Sequence, residues 1–168
     1  MKFLLDGMLR GLARWLRFLG WDAQILQRWE ADEIRRWYQR EPDRVFVSRS
    51  RAHVEAWPGQ FKVLLSSDDV AEQLQQLNER FSLVQPDLFL SRCSRCNQPL
   101  VAVRPEAVRG KVPERVFERF REFYLCPGCQ RIYWEGGHVE RLIKKLQRMG
   151  LFFSPNCSNQ MNETGRPT

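Results

Sequence analysis

Two pairs of cysteines are the clearest chemical signal in the sequence. They lie in Cys93-Ser-Arg-Cys96 and Cys126-Pro-Gly-Cys129, with 29 residues between the pairs. Four thiolates at this spacing are typical of a tetrahedral zinc site, and a shell closed by four protein ligands makes the ion structural rather than catalytic. Two disulfides or four unrelated cysteines are the alternatives, but two such pairs rarely coincide by chance. The sequence therefore predicts one structural zinc ion held by Cys93, Cys96, Cys126 and Cys129.

A second set of polar side chains follows the predicted strands in the first half of the chain. Asp6 ends the first strand, Ser50 follows the third, Asp68 follows the fourth, and Asp32 lies in the helix after the second. Ligands of open α/β sheets bind outside the carboxyl ends of the strands. Oxygen ligands suit Mg²⁺ or Mn²⁺, which can activate water beside a phosphodiester. The alternative is that these acids only cap or begin helices, and Asp6 fits that alternative least because it directly ends a buried strand.

Arginine dominates the basic residues. The formal net charge is +7, and 22 of the 27 basic residues are arginine, whose planar fork suits phosphate groups. Arg10, Arg14 and Arg17 have the spacing of one helix face, and Arg49 and Arg51 follow the third strand. These five arginines are predicted to contact RNA. The alternative is that they form ordinary solvated faces.

Short apolar runs alternate with helical patterns across residues 2–80, which predicts an open α/β domain with a mostly parallel sheet. The expected strands are 3–5, 23–26, 44–47 and 61–65, and the expected helices are 8–19, 31–40, 51–56 and 69–80. We expect this domain to cover residues 1–90.

The cysteine pairs define a second, smaller module over residues 91–150, with short strands at 100–103 and 122–125 and a last helix at 139–149. Tyr133 and Trp134 could stack on bases, although aromatic residues also cover the small core of such a module. Residues 151–168 are expected to form a poorly ordered tail in which Cys157 is a free thiol.

The cellular location is predicted from two features: the absence of a membrane span or signal peptide in the sequence, and the cysteines that must stay reduced. No run approaches the roughly 18 apolar residues of a membrane span. The apolar stretch before Asp6 is too short for a signal peptide. Cysteines that bind metal must stay reduced. We therefore expect a cytoplasmic protein without membrane contact.

Several of these segments together resemble one protein family. The stretch from Phe3 to Arg17, which reads FLLDGMLRGLARWLR, is similar to the opening of the PIN-like RNase domains found at the C-terminus of Mut-seven exonuclease-type proteins. The stretch from Cys126 to His138 resembles that family's second zinc knuckle and the tail after it. The resemblance covers about residues 2–149.

The resemblance implies a PIN-like three-layer domain followed by a zinc ribbon, and RNA cleavage with a divalent ion. Asp6 matches the family's first acidic residue and Asp32 its second. Ser50 stands where the family has a third, and Asp68 could partly replace it. The expected function is a weakened metal-dependent endoribonuclease with Mg²⁺ or Mn²⁺ at Asp6, Asp32 and Asp68. A catalytically decayed RNA-binding module is the main alternative, and a protein adaptor is a third.

Overall fold

Four parallel strands form the central sheet. A computed structural model of the chain describes residues 1–151. Its first four strands are β1 (Lys2–Asp6), β2 (Asp22–Leu26), β3 (Val45–Ser48) and β4 (Lys62–Leu64), in the order β2-β1-β3-β4. All three neighbouring pairs run parallel. The predicted α/β class and its parallel sheet are confirmed.

One helix follows each of these strands. The helices are α1 (Arg10–Phe18), α2 (Ala31–Arg40), α3 (Arg51–Ala56) and α4 (Val70–Phe81). A short 3₁₀ turn, Gly7–Leu9, connects β1 to α1. Asp69 begins α4 as its N-cap, because its carboxylate accepts hydrogen bonds from two backbone amides of the first turn.

The helices cover both faces of the sheet and so produce three layers. Successive residues of a strand point to opposite faces. Phe3 and Leu5 of β1 accordingly join the larger core beneath α1 and α4, whereas Leu4 joins a smaller core with Phe46 and Trp57. Side chains of α2 and α3 pack against that smaller core. Both faces of β1 are therefore buried, which explains its continuous apolar run.

The cysteine module contains a separate antiparallel sheet. Its strands are β5 (Val101–Val103), β6 (Phe123–Leu125) and β7 (Ile132–Tyr133), paired in chain order. Helix α5 (Glu114–Arg119) lies between β5 and β6, and helix α6 (Gly137–Arg148) follows β7. Among residues 1–151, no helix has the length and apolar character needed to cross a bilayer.

The end of α6 returns to the α/β unit. Leu146 and Leu151 are buried in the larger core, and Nε2 of Gln75 donates to the carbonyl of Met149 at 2.9 Å. Leu151, the first residue of the predicted tail, has its side chain in this core. The remaining predicted tail, including Cys157, lies outside the described residues. The domain division near residue 90 stays a prediction.

Buried polar contacts join the first cysteine knuckle to the α/β unit. Nε of Arg17 donates to the carbonyl of Ala23 at 2.8 Å, and Nη1 donates to the carbonyl of Arg95 at 2.9 Å. The amide of Ala23 donates to Oδ1 of Asn97 at 2.9 Å, and Nδ2 of Asn97 donates to Asp22 at the same distance. The prediction that Arg17 lies on an exposed stripe is therefore wrong, since its guanidinium is buried against backbone carbonyls.

Candidate functional site

The four predicted zinc ligands lie together. The Sγ atoms of Cys93, Cys96, Cys126 and Cys129 are all within 4.8 Å of one another. Those of Cys93 and Cys129 are 3.5 Å apart, and those of Cys96 and Cys126 are 3.3 Å apart. A tetrahedron with Zn–S bonds of about 2.3 Å places sulfur atoms about 3.8 Å apart, so this donor set fits a zinc ion. The clustering excludes the alternative of four unrelated cysteines and supports a structural zinc site.

Tyr133 tunes the ionisation of this cluster. Burial opposes ionisation of Cys93, but hydrogen bonds from the Tyr133 hydroxyl, at 3.1 Å, and from backbone amides lower the pKa of Cys93 to about 6. Burial and the bond to Cys93 raise the pKa of Tyr133 to about 12, so this hydroxyl keeps its proton. Cys93 therefore becomes a thiolate readily, as a zinc ligand must.

The carboxyl ends of β1 and β3 form a second site. The chain leaves β1 toward β2 on one side, and it leaves β3 toward β4 on the other. The gap between β1 and β3 is thus the topological switch point of the sheet, where ligands of such folds bind. Asp6 and Ser48 end these two strands, and Oγ of Ser48 donates to Oδ2 of Asp6 at 2.7 Å.

His53 is the other partner of Asp6, and sequence reasoning missed it. Its Nδ1 lies 2.5 Å from Oδ2 of Asp6. Its ring stacks on the indole of Trp29, with 3.9 Å between centroids and 7° between planes. The Asp6 side chain is 10% exposed, whereas the His53 side chain is 25% exposed, so solvent reaches the imidazole more easily. The signal in the sequence is that one of only two histidines lies in the helix after the third strand.

The Ser50 side chain holds the backbone of His53 in place. As N-cap of α3, its Oγ accepts from the amide of His53 at 3.3 Å, and its own amide donates to Oγ of Ser48 at 2.9 Å. Ser50 therefore lies next to the Asp6 site, but its hydroxyl accepts the hydrogen bond that starts α3. Its predicted catalytic role stays a prediction.

Asp32 and Asp68 do not join Asp6. The Asp32 side chain is 82% exposed and lies 3.9 Å from Nη1 of Arg35. The Asp68 side chain is 80% exposed and pairs with Arg49. Among residues 1–151, the cysteines form the one group of three or more acidic, histidine or cysteine side chains close enough to hold a metal.

The donor set around Asp6 therefore does not fit the predicted catalytic ion. Mg²⁺ and Mn²⁺ are held by several hard oxygen ligands. The site instead offers one carboxylate, whose Oδ2 is already bonded to His53 and Ser48. The metal role of Asp6, Asp32 and Asp68 stays a prediction that this geometry does not support.

Four of the five predicted RNA-binding arginines are exposed, and the fifth, Arg17, is buried. Arg10 and Arg51 begin α1 and α3, the helices that follow the strands ending at the Asp6 site, and both are exposed. Arg49 lies between Ser48 and Ser50 on the same edge. Arg14 is exposed further along α1, where its guanidinium lies 5.5 Å from the ring centroid of Phe18.

These features define a parallel α/β domain that carries a zinc ribbon and a polar site at the switch point of its sheet. Residues 1–146 match the model of the Mut7-C RNAse domain family, and the chain belongs to this family. Searches of curated proteins and of solved structures gave no significant match. The resemblance noted in the sequence is thus confirmed. Membership indicates a nuclease-like function related to RNA.

Proposed function

We propose that this chain cleaves single-stranded RNA, with Asp6 and His53 acting as an acid–base pair at the carboxyl edge of the sheet. The observation that carries the proposal is the 2.5 Å contact between Oδ2 of Asp6 and Nδ1 of His53. A carboxylate only accepts hydrogen bonds, so Nδ1 carries a proton, and Nε2 of the neutral imidazole has a free electron pair. Asp6 thereby holds the imidazole in one tautomer, as acidic partners of catalytic histidines do.

The reaction that suits such a pair uses the ribose itself. Nε2 of His53 takes the proton of a 2′-hydroxyl, and the 2′-oxygen attacks the adjacent phosphorus. The bond from phosphorus to the 5′-oxygen breaks, and the imidazolium returns its proton to that leaving oxygen. The products are a 2′,3′-cyclic phosphate and a 5′-hydroxyl end. No proton is gained or lost by His53 over the cycle.

Two exposed arginines begin the helices that follow the strands of the Asp6 site. Arg10 and Arg51 follow Asp6 and Ser48 at the starts of α1 and α3, and the Arg51 side chain is 77% exposed. Arginine binds phosphate oxygens in bidentate fashion. Both helix starts therefore offer positive charge to a phosphodiester bound at this edge. RNA, predicted as the partner from charge, is the substrate class that this arrangement favours.

Cleavage assisted by Mg²⁺ or Mn²⁺ is the reaction that the family resemblance implies. Its support here is limited to Asp6, because Asp32 and Asp68 are exposed and paired with arginines. Hydrolysis by a water molecule does not require a 2′-hydroxyl, so the ends of the products distinguish the two reactions.

RNA binding without cleavage is the second candidate. The observation that favours it is the capping role of Ser50, which leaves the position of the family's third acid without a charge. A protein of this kind would hold RNA on the same arginine-rich edge and release it unchanged.

A cleavage assay on defined RNA tests the proposal. Full-length protein is incubated with a single-stranded RNA, and with the same RNA carrying one 2′-deoxyribose, in Mg²⁺, Mn²⁺ or a chelator that spares tightly bound zinc. We expect products with cyclic-phosphate ends in every condition, and no cleavage at the deoxyribose. Asp6→Asn and His53→Gln should abolish these products.

Each other outcome overturns part of the proposal. Cleavage that requires a divalent ion and also occurs at the deoxyribose would establish the metal-dependent reaction. Binding without any Asp6-dependent product would establish the RNA-binding module. Failure to bind RNA would overturn both candidates.

A further inference from the structure

A cavity of about 450 Å³ lies where α1, the zinc ribbon and α6 meet. Its volume is in the range of small-ligand sites. It lies beside the far half of α1, whereas Asp6 precedes the start of that helix, so it is separate from the Asp6 site. Seven of its lining residues matter for what it could bind: Arg14, Phe18, Tyr124, Arg131, Tyr133, Trp134 and Glu135.

The walls of the cavity are aromatic and only half-buried. Phe18, Tyr124, Tyr133 and Trp134 all retain part of their surface toward solvent. Trp134 is braced by His138, whose ring stands nearly perpendicular to the indole, with 5.8 Å between centroids. Aromatic faces of this kind stack on unpaired bases, and they do so with any base because every base has a π-face.

The rim of the cavity carries unpaired positive charge. Arg14 and Arg131 are exposed, and within residues 1–151 neither has an acidic side chain within ion-pair distance. Glu135 also lines the cavity and could accept hydrogen bonds from the amino group of a base. The aromatic walls and the acceptor suit a base, and two guanidinium groups without an acidic partner suit a phosphate.

The cavity is formed by backbone that has little freedom. The amide of Leu90 donates to the carbonyl of Phe18 at 2.9 Å, and Leu90 has the left-handed φ of 58°. Gly20, at the end of α1, has φ of 87°, and a Cβ there would lie 1.8 Å from the carbonyl oxygen of Leu88. This close approach fixes the segment before the ribbon against α1, so the cavity exists before any ligand binds.

We propose that this cavity, the ribbon cleft, holds one unstacked nucleotide of a single-stranded RNA. The inference rests on the proposed function, in which the chain acts on RNA. Helix α1 connects the two places: from Arg10 to Phe18 it extends about 12 Å at 1.5 Å per residue. One RNA strand lying along α1 would meet Arg10 beside the Asp6 site and Arg14 at the mouth of the ribbon cleft.

The test measures binding separately from cleavage. A fluorescein-labelled, single-stranded RNA is titrated with full-length protein carrying Asp6→Asn, and anisotropy gives the Kd at several salt concentrations. Trp134→Leu should weaken binding by about 5- to 150-fold, the range found for loss of one stacked base. Trp134→Phe should retain most of the affinity, because it keeps an aromatic face.

A charge-matched pair of variants controls for the loss of positive charge. The double variant Arg14→Gln/Arg131→Gln should make the dependence of log K on log salt less steep, by the amount expected for the loss of about two phosphate contacts. The control Arg36→Gln/Arg115→Gln removes the same charge from exposed positions outside the cavity and should change the slope less. RNA containing 4-thiouridine should crosslink to the peptide that includes Trp134.

The outcomes separate the ribbon cleft from the proposed function. If the protein binds RNA while Trp134→Leu and the Arg14/Arg131 variant bind like their controls, the ribbon cleft is not a nucleotide site and the proposed function is unaffected. If the ribbon-cleft variants weaken binding but the native chain cleaves no RNA, the nucleotide site stands and the cleavage proposal fails. If Trp134→Leu loses zinc or does not fold, the Arg14→Gln/Arg131→Gln variant and the crosslink decide whether the ribbon cleft binds a nucleotide.

Discussion

Nδ1 of His53 lies 2.5 Å from Oδ2 of Asp6, although 47 positions separate the two residues in the chain. Three neighbours hold this pair in place. Ser48 donates to the same carboxylate oxygen, Trp29 stacks on the imidazole, and Ser50 caps the helix that carries His53. A histidine restrained in this way suits proton transfer, because the transfer requires a fixed orientation.

Replacing His53 tests its role in catalysis. His53→Gln should lower the rate of RNA cleavage by about 100- to 10,000-fold, the usual contribution of general acid–base catalysis. The Kd for RNA should change little. Glu79→Gln, an exposed position on α4, is the control. Cleavage by His53→Gln at the native rate would show that the imidazole only packs against Trp29.

Ser50→Asp tests the predicted weakness of the site. Aspartate is as good an N-cap as serine, so the free energy of unfolding should change by less than about 0.5 kcal/mol. A second carboxylate beside Asp6 should raise the affinity for Mn²⁺ and produce or increase Mn²⁺-dependent cleavage. Calorimetric titration with Mn²⁺ and the cleavage assay measure both effects, with Ser50→Asp/Asp6→Asn as the control. Unchanged Mn²⁺ affinity would place residue 50 outside any catalytic cluster.

Arg10 and Arg17 lie on the same helix but should respond differently to substitution. Arg10→Gln removes an exposed charge. It should make the dependence of log K for RNA on log salt less steep, by the amount expected for the loss of about one phosphate contact. Arg17→Met removes three hydrogen bonds to carbonyls and should cost about 2 kcal/mol of stability. Denaturant unfolding and salt-dependent anisotropy measure the two quantities. A lower salt slope for Arg17→Met than for Arg10→Gln would contradict the burial of Arg17.

Asp22 should make stability depend on pH in the acid range. Burial opposes its ionisation, but hydrogen bonds from Arg44 and Asn97 and the charges of Arg44 and Arg92 lower the pKa of Asp22 below its ordinary value of 3.8. Its contribution is therefore complete above about pH 4 and is lost as the pH falls through the lower, folded-state value. Asp22→Asn should cost about 3 kcal/mol at neutral pH and should flatten the acid side of the profile. Equal acid slopes for both proteins would refute this account.

Removal of zinc should unfold the ribbon before the α/β unit. Elemental analysis of freshly purified protein is expected to give one zinc per chain, because four thiols meet within 4.8 Å. A strong chelator should abolish amide protection in β5 to β7 first, which hydrogen exchange measures. Cys96→Ser should lose zinc in the same assay. Protein that contains no zinc, or a ribbon that is unchanged by chelation, would contradict the assignment.

Local patterns predicted the strands and the cysteine site well, because each depends on residues close in sequence. The continuous apolar run predicts that β1 is a buried strand, and the spacing of each cysteine pair predicts a metal-binding knuckle. His53 was missed and Arg17 was placed wrongly for the opposite reason, since their partners lie in other elements that only the fold brings near. Asp32 and Asp68 show a further limit. An acid at the start of a helix has the same sequence pattern whether it faces a metal or the solvent.

The knuckle residue Asn97 also protects the edge of the sheet. Strand β2 lies at one end of the order β2-β1-β3-β4, where unpaired backbone groups can recruit a strand from another molecule. Asn97 accepts from the amide of Ala23 in that strand, and Arg17 donates to the carbonyl of the same residue. The metal that shapes the knuckle therefore keeps this edge covered. Protein stripped of zinc should self-associate through β2 at concentrations where the zinc-bound protein stays monodisperse.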